Sequence, residues 1–153
     1  MALPYVVLIL AAMFGLTVYL SIWLQGDYLQ RMRNQLTSGS YFAGQAIETV
    51  LSQGRRLGAL NDDLARRWAK ALGMRVTIIA ADGRVLADSE EDSAAMANHL
   101  NRPEVQEALT SGAGLASRPS LTMGYDMLYS AAAFHGGAEG AETVGVVRLA
   151  MPS

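Results

Sequence analysis

Cysteine is absent from this chain of 153 residues, which rules out disulfides, thiolate catalysis and cysteine-ligated metal without selecting a compartment. Histidine is nearly absent too. His99 and His135 lack the His-x-x-x-His type of spacing that a zinc site built without cysteine favours. Lysine occurs once, at Lys70, so eleven of the twelve cations are arginine, and against 14 Asp and Glu the net charge is −2. That balance gives no general electrostatic footprint for nucleic acid, and no nucleic-acid partner is expected.

Charge is also missing from one particular stretch. From Ala2 to Leu24 the chain reads 23 residues without a charged side chain. As a helix rising about 1.5 Å per residue the run spans roughly 34 Å, enough to cross a hydrocarbon core about 30 Å thick with some tilt. A buried helix in so small a soluble domain would keep a polar stripe, and this one has none. Tyr5 near one end and Tyr19 and Trp23 near the other suit the two interfacial belts. A cleaved signal peptide is the rival reading. Its apolar part would be about 7–15 residues long, with a basic start and a small-residue cleavage site. No Lys or Arg precedes this run, and Ser21-Ile-Trp-Leu-Gln is a poor cleavage site. Residues 2–24 therefore read as a retained transmembrane helix. The remainder is long enough for one core and too short for two ordinary domains.

After Leu24 the helical pattern continues. Leu29, Met32, Leu36, Ala43, Ala46 and Val50 recur at spacings of three and four, with Gly39 in the missing place. Small residues and Thr37-Ser38-Gly39-Ser40 weaken this seam. It reads equally as a stripe packing on the chain's own sheet and as a helix pairing with a second copy of itself. Gly54 and Gly58 punctuate the helix, so residues 25–60 form a membrane-proximal segment and 61–153 a separate domain.

That domain begins with Asn61-Asp62 as a cap, then Leu64, Trp68 and Leu72 at intervals of four before Gly73. Arg66, Arg67 and Lys70 between them are a solvated face or a lipid-headgroup patch. Arg75 to Ala80 is strand-like, Ala81-Asp82-Gly83-Arg84 is a tight turn, and Val85 to Asp88 returns. A short helical pattern is expected around Ala94 to Leu100, then a second short helix capped by Asn101, with Pro103 in its first turn and Gly112 as its stop. Strands are expected at about 114–120, 125–134 and 143–151, the last two joined by a Gly-rich loop. The order predicts an α+β fold: a five-stranded antiparallel sheet with short helices on one face. A doubly wound fold is excluded, because strands do not alternate with crossover helices.

Groups able to transfer protons, attack or hold metal are scarce. The loop near His135 lacks a phosphate-cradling pattern. The cluster Asp88, Glu90, Glu91 and Asp92 would suit a hard cation, but it lacks the Gly and terminal Glu of an EF-hand loop. No Ser/His/Asp set stands out. The chain is expected not to be an enzyme, to hold no metal and to need no cofactor. The informative polar residues are of another kind. Asn98-His99-Leu100-Asn101-Arg102-Pro103-Glu104 precedes and opens a helix, and Arg118, Tyr125, Asp126 and Tyr129 lie on or beside the later strands. With helices over that face of the sheet, His99, Arg102, Arg118, Tyr125 and Tyr129 converge on a shallow pocket as candidate ligand-binding residues. Taken singly each has a structural reading: Asn101 caps a helix, Arg118 pairs with a carboxylate, and the tyrosines fill the core with a hydroxyl at its edge.

Val76-Thr-Ile-Ile-Ala-Ala-Asp-Gly-Arg-Val-Leu-Ala-Asp-Ser, Asn98-His99, Arg102-Pro-Glu-Val105, Met127-Leu-Tyr129 and Val144-Gly-Val-Val-Arg-Leu, in that order, resemble the extracytoplasmic sensor region of bacterial sensor histidine kinases. The phosphate-regulon and cell-wall-stress kinases, with their PAS-like (Cache-type) sensor, are the nearest match, over about residues 26–151. The resemblance implies a sensor between two membrane helices, a homodimer at the inner membrane, a small-molecule or protein ligand, and a kinase output that this chain lacks. It also implies an extracytoplasmic domain. Read literally, the positive-inside rule points the other way, because Arg31 and Arg33 follow the apolar run and no cation precedes it. A chemoreceptor or cyclic-dinucleotide output fits the same sensor. A pilin-like subunit is the structural rival, although the apolar run lacks the early Glu of that family.

Overall fold

The computed structural model describes residues 3–119, 126–136 and 142–152. The chain forms two compact units, Met1–Met32 and Arg33–Ser153. The first consists of the start of α1, the helix Leu3–Ser52. The described side chains of residues 4–23 are exposed all round, including Tyr5, Leu8, Phe14, Ile22 and Trp23. Thr17 returns its hydroxyl to Met13 O at 2.8 Å, so its polar group is satisfied within the helix. By length and composition this helix can cross a membrane.

In the second unit, α1 is followed by a 3₁₀ turn at Leu57–Ala59 and by α2, Asp62–Leu72. Asn61 caps α2, accepting from Leu64 N at 3.0 Å, and Gly73 ends it in the left-handed region at φ 68°. Arg66, Arg67 and Lys70 are exposed, as expected of a solvated face. Then come β1 (Arg75–Ala80), β2 (Val85–Asp88), a 3₁₀ turn at Ser93–Ala95, α3 (Pro103–Ser111), β3 (Ala113–Pro119), β4 (Asp126–Gly136) and β5 (Glu142–Pro152). The strands pair antiparallel throughout, in the order β2-β1-β5-β4-β3. The expected α+β fold with its five-stranded antiparallel sheet is thus present.

The sheet is buried on both faces, which explains why β1 and β5 read as continuous apolar runs. On one face Val76, Ile78, Val147 and Leu149 meet α1 through Leu36, Ser40, Ala43, Gly44 and Ile47. A side chain on Gly44 would lie 3.3 Å from Ala133 O, so its lack of one permits this close approach. The Ser40 hydroxyl donates to Thr37 O at 3.0 Å, leaving Ser130 to donate to Ser40 across the interface, also at 3.0 Å. On the other face α3 packs Val105 and Ala108 onto Ile79, Ala131 and Val146. The seam read from the sequence is therefore shared. Leu36 and Ala43 face the chain's own sheet, whereas Ala46 stays exposed beside an apolar groove formed with Trp68, Ala71 and Leu72 of α2.

Two local expectations need correction. The segment Ala94–Leu100 is helical only over the single 3₁₀ turn at Ser93–Ala95. Asn98 diverts the rest: its amide donates to Asp82 O at 2.9 Å and its carbonyl accepts from Leu100 N at 2.8 Å, replacing helical bonds with side-chain ones. Asn101 does not cap α3. Pro103 forces the residue before it into an extended conformation, so Arg102 (φ −79°, ψ 128°) takes the cap position and makes no side-chain capping bond.

The β1–β2 turn fixes the segment that follows. Gly83 has φ +84°, its carbonyl accepts from His99 N at 2.8 Å, and a Cβ there would run into Asn98 Oδ1 and lie 2.6 Å from Leu100 N. Gly83→Ala should therefore cost about 2–4 kcal/mol, combining left-handed strain with a backbone clash. Urea unfolding of the full chain in detergent checks this, and a loss below about 0.5 kcal/mol would mean that the turn relaxes freely.

Candidate functional site

Between the 3₁₀ segment, the start of α3 and the sheet lies a cleft of about 520 Å³. Because Asn98 and the backbone of His99 are bound to the β1–β2 turn, His99 is held in its wall, buried. Arg102 enters from the cap of α3, Arg118 from the end of β3, Tyr129 from β4 and Arg148 from the middle of β5. Four of the five sequence-predicted residues, His99, Arg102, Arg118 and Tyr129, thus line one cleft. Tyr125 lies outside the described residues. His135 is elsewhere, bonded through its backbone N and Nδ1 to Glu48 Oε1 of α1, both at 2.8 Å.

The floor of the cleft is a buried ion triad. Glu104 has no exposed surface; its Oε1 accepts from Arg118 Nη2 at 2.6 Å and lies 3.4 Å from Arg148 Nη1. Both guanidiniums also approach Tyr129, with Arg118 Cζ 4.3 Å and Arg148 Cζ 5.0 Å from the ring centroid. One carboxylate thus faces two buried or half-buried cations. Burial pulls the Arg148 pKa below its ordinary value, as does the positive charge of Arg75 and Arg118, while Glu104 and Tyr129 resist this. Three polar atoms of the triad, Glu104 Oε2, Arg118 Nε and Arg148 Nε, are buried without a hydrogen-bond partner.

His99 sits in this positive field. Its Nδ1 lies 2.8 Å from Ala97 O, which can only accept, so Nδ1 carries the hydrogen and Nε2 of the neutral ring holds a lone pair. Burial, then the charge of Arg148, lowers its pKa below the ordinary 6.5. At the far end Arg75 is saturated by Asp88 (3.0 Å), Glu91 (3.0 Å) and Glu90 (3.3 Å). Burial pushes the Asp88 carboxyl up, but the backbone N–H groups of Glu90 and Glu91, the Thr77 hydroxyl and Arg75 together hold it below its usual value. The acidic run considered for a hard cation is therefore engaged by arginine and backbone donors. Among the described residues no group of three or more potential ligands could hold a metal ion.

Sequence reasoning missed Arg148, Arg75 and the depth of Glu104. Arg148 carried a signal, a lone cation inside an apolar strand pattern; Glu104 did not, because a Glu in a helix's first turn reads as dipole complementation at the surface.

The fold is shared with sensor domains of bacterial receptors. The ligand-binding domain of the Campylobacter jejuni chemoreceptor Tlp3, in complex with 4-methylisoleucine, matches with a TM-score of 0.56 at 12% identity, over 82% of this chain and 53% of that one. The Escherichia coli DcuS sensor domain matches with a TM-score of 0.56 at 12% identity, over 78% of this chain and 90% of that one. The sensor domain of the Vibrio cholerae histidine kinase DctB gives 0.52 at 18% identity, over 82% and 56%. The chain spans about half the length of the Tlp3 and DctB domains. No protein-family model matches the sequence, and no curated protein matches it. At these identities the likeness is one of fold alone.

Two outcomes test this account of the site. Glu104→Gln, which strips the countercharge from two arginines, should destabilise the chain by about 3 kcal/mol in urea unfolding at neutral pH. The His99 ring should titrate below 6.5 by NMR. Because the unfolded ring then binds its proton first, stability should fall as pH drops from about 6.5 toward the folded midpoint, and His99→Gln should lose that component.

Proposed function

We propose that this chain is the signal-input module of a membrane-bound sensor, and that its cleft receives a small organic anion. The observation that carries the reading is the cleft's charge: Arg102, Arg118 and Arg148 face it, and the last two share one buried countercharge, Glu104. An anion there would be held by charge-assisted hydrogen bonds from the guanidiniums that line the cleft. His99, Arg102, Arg118 and Tyr129 are its ligand-binding residues in this reading, with Tyr125 assigned from the sequence alone.

Residues 2–24 span the inner membrane, 25–60 form the membrane-proximal segment and 61–153 the sensor domain, which lies outside the cytoplasm. Two copies pair along α1, where Tyr41 and Phe42 stand exposed on the side turned away from the sheet. Ligand binding shifts the packing of the paired helices, and a small displacement of their ends passes the signal on. The resemblance to phosphate-regulon and cell-wall-stress kinases favours a histidine-kinase output, whereas the likeness to Tlp3 serves a chemoreceptor equally well.

Thermal unfolding of the full chain in detergent, screened against small anions, carboxylates, amino acids and divalent cations, tests the reading. A specific anion at 100 times its Kd should add about 2.7 kcal/mol, and Arg118→Ala should abolish the gain. Stabilisation by none of them would favour a protein-partner or dimer-geometry sensor. Sedimentation of the same sample should give a dimer; a monomer at high concentration would overturn the pairing of α1.

A further inference from the structure

Among the described residues lining the cleft, His99 is the one whose charge changes near neutral pH, and it shares the cleft with several arginines. Arg102 precedes α3, with Glu104 buried behind it. Arg118 comes from β3, Arg148 from β5 and the Tyr129 phenol from β4, while the Arg75–Glu91 pair closes the far end from β1 and the loop after β2. Nδ1 is committed to Ala97 O and the ring also meets the Asn98 backbone, so a ligand that bonds to the ring does so through Nε2. In the neutral ring Nε2 is an acceptor and cannot bond to the oxygen of an anion; in the imidazolium it is a donor.

Building on the reading of the cleft as an anion site, we propose that the anion is bound together with a proton taken up on His99, so that the module responds to the anion and to acidity jointly. The physical reason is field compensation. The cleft holds Arg102 and Arg148 close enough to oppose a third positive charge, and both act, behind burial, to keep the ring neutral. An anion placed among these guanidiniums cancels the opposing field and offers Nε2–H an acceptor, so the proton binds more tightly in the occupied state. By linkage the anion must then bind more tightly as pH falls, between the midpoint of the occupied state and that of the empty one. The proton comes from solvent and no covalent bond changes.

The test is calorimetric titration of the full chain in detergent with sulfate and with oxalate, dianions whose own protonation lies below the range studied. Over about pH 8 to 5.5 the Kd should fall about tenfold, and titrations in buffers of differing ionisation enthalpy should reveal proton uptake. The His99 ring, followed by NMR in the unaltered protein, should titrate at a higher pH when sulfate is present, a readout that does not depend on a variant folding. His99→Gln should bind with little pH dependence. Binding whose Kd is constant with pH, with no movement of the His99 midpoint, would overturn the proton coupling and leave the anion site standing. Failure of both anions to bind at any pH would overturn the proton coupling, and stabilisation by no anion of the wider screen would overturn the anion site with it.

Discussion

Glu104 places a carboxylate where no water reaches it, between the guanidiniums of Arg118 and Arg148. Isolated, that charge would cost several kcal/mol to bury, and so would either arginine. Together they are tolerable only in a fixed geometry, which ties the first turn of α3 to the end of β3 and the middle of β5. The apolar contacts of Val105 and Ala108 with Ile79, Ala131 and Val146 press α3 onto the sheet without preferring one position along it strongly. Directional charge does prefer one. The triad therefore sets where α3 starts, and with it the mouth of the cleft.

The opposite face of the sheet works by different means. There the contact is small and close-fitting: Gly44 beneath Ala133 O, Ser40 against Ser130, and Leu36 and Ile47 fully buried. Such a surface excludes water and leaves no room for a ligand. The division of labour follows from the residues each strand presents. β5 sends Val147 and Leu149 to the α1 face and Val146 and Arg148 to the α3 face, so one strand carries both the packing seam and the floor of the site.

A cleft assembled this way is incomplete in its own charge. Two cations share one buried carboxylate, a third guanidinium stands at the rim, and three buried polar atoms lack partners. Cores without functional demands seldom keep such a deficit. Its occurrence beside a neutral histidine and an aromatic ring, in a fold shared with sensor domains, is why the cleft and not the apolar groove between α1 and α2 carries the functional reading.

Much of this was legible in the sequence because the signals were local. An uncharged run, a cap at Asn61, a Gly after each short helix and an Asp-Gly turn each act within a few residues, and they defined the helices, the hairpin and the three later strands to within a residue or two. The polar pieces around His99 and Arg102 and on the later strands could be suspected of meeting, since a sheet with helices over that face brings them to one side. Where local signals competed, the sequence misled: Asn101 and the segment after Ala94 look helical or capping until Pro103 and the amide of Asn98 act on the backbone. What only the tertiary structure decided was depth and sign. Burial of Glu104, its sharing by Arg118 and Arg148, and the field that keeps His99 neutral arise from residues between 3 and 49 positions apart in the chain. Their interaction depends on distance and solvent exclusion, and neither is written in the order of amino acids.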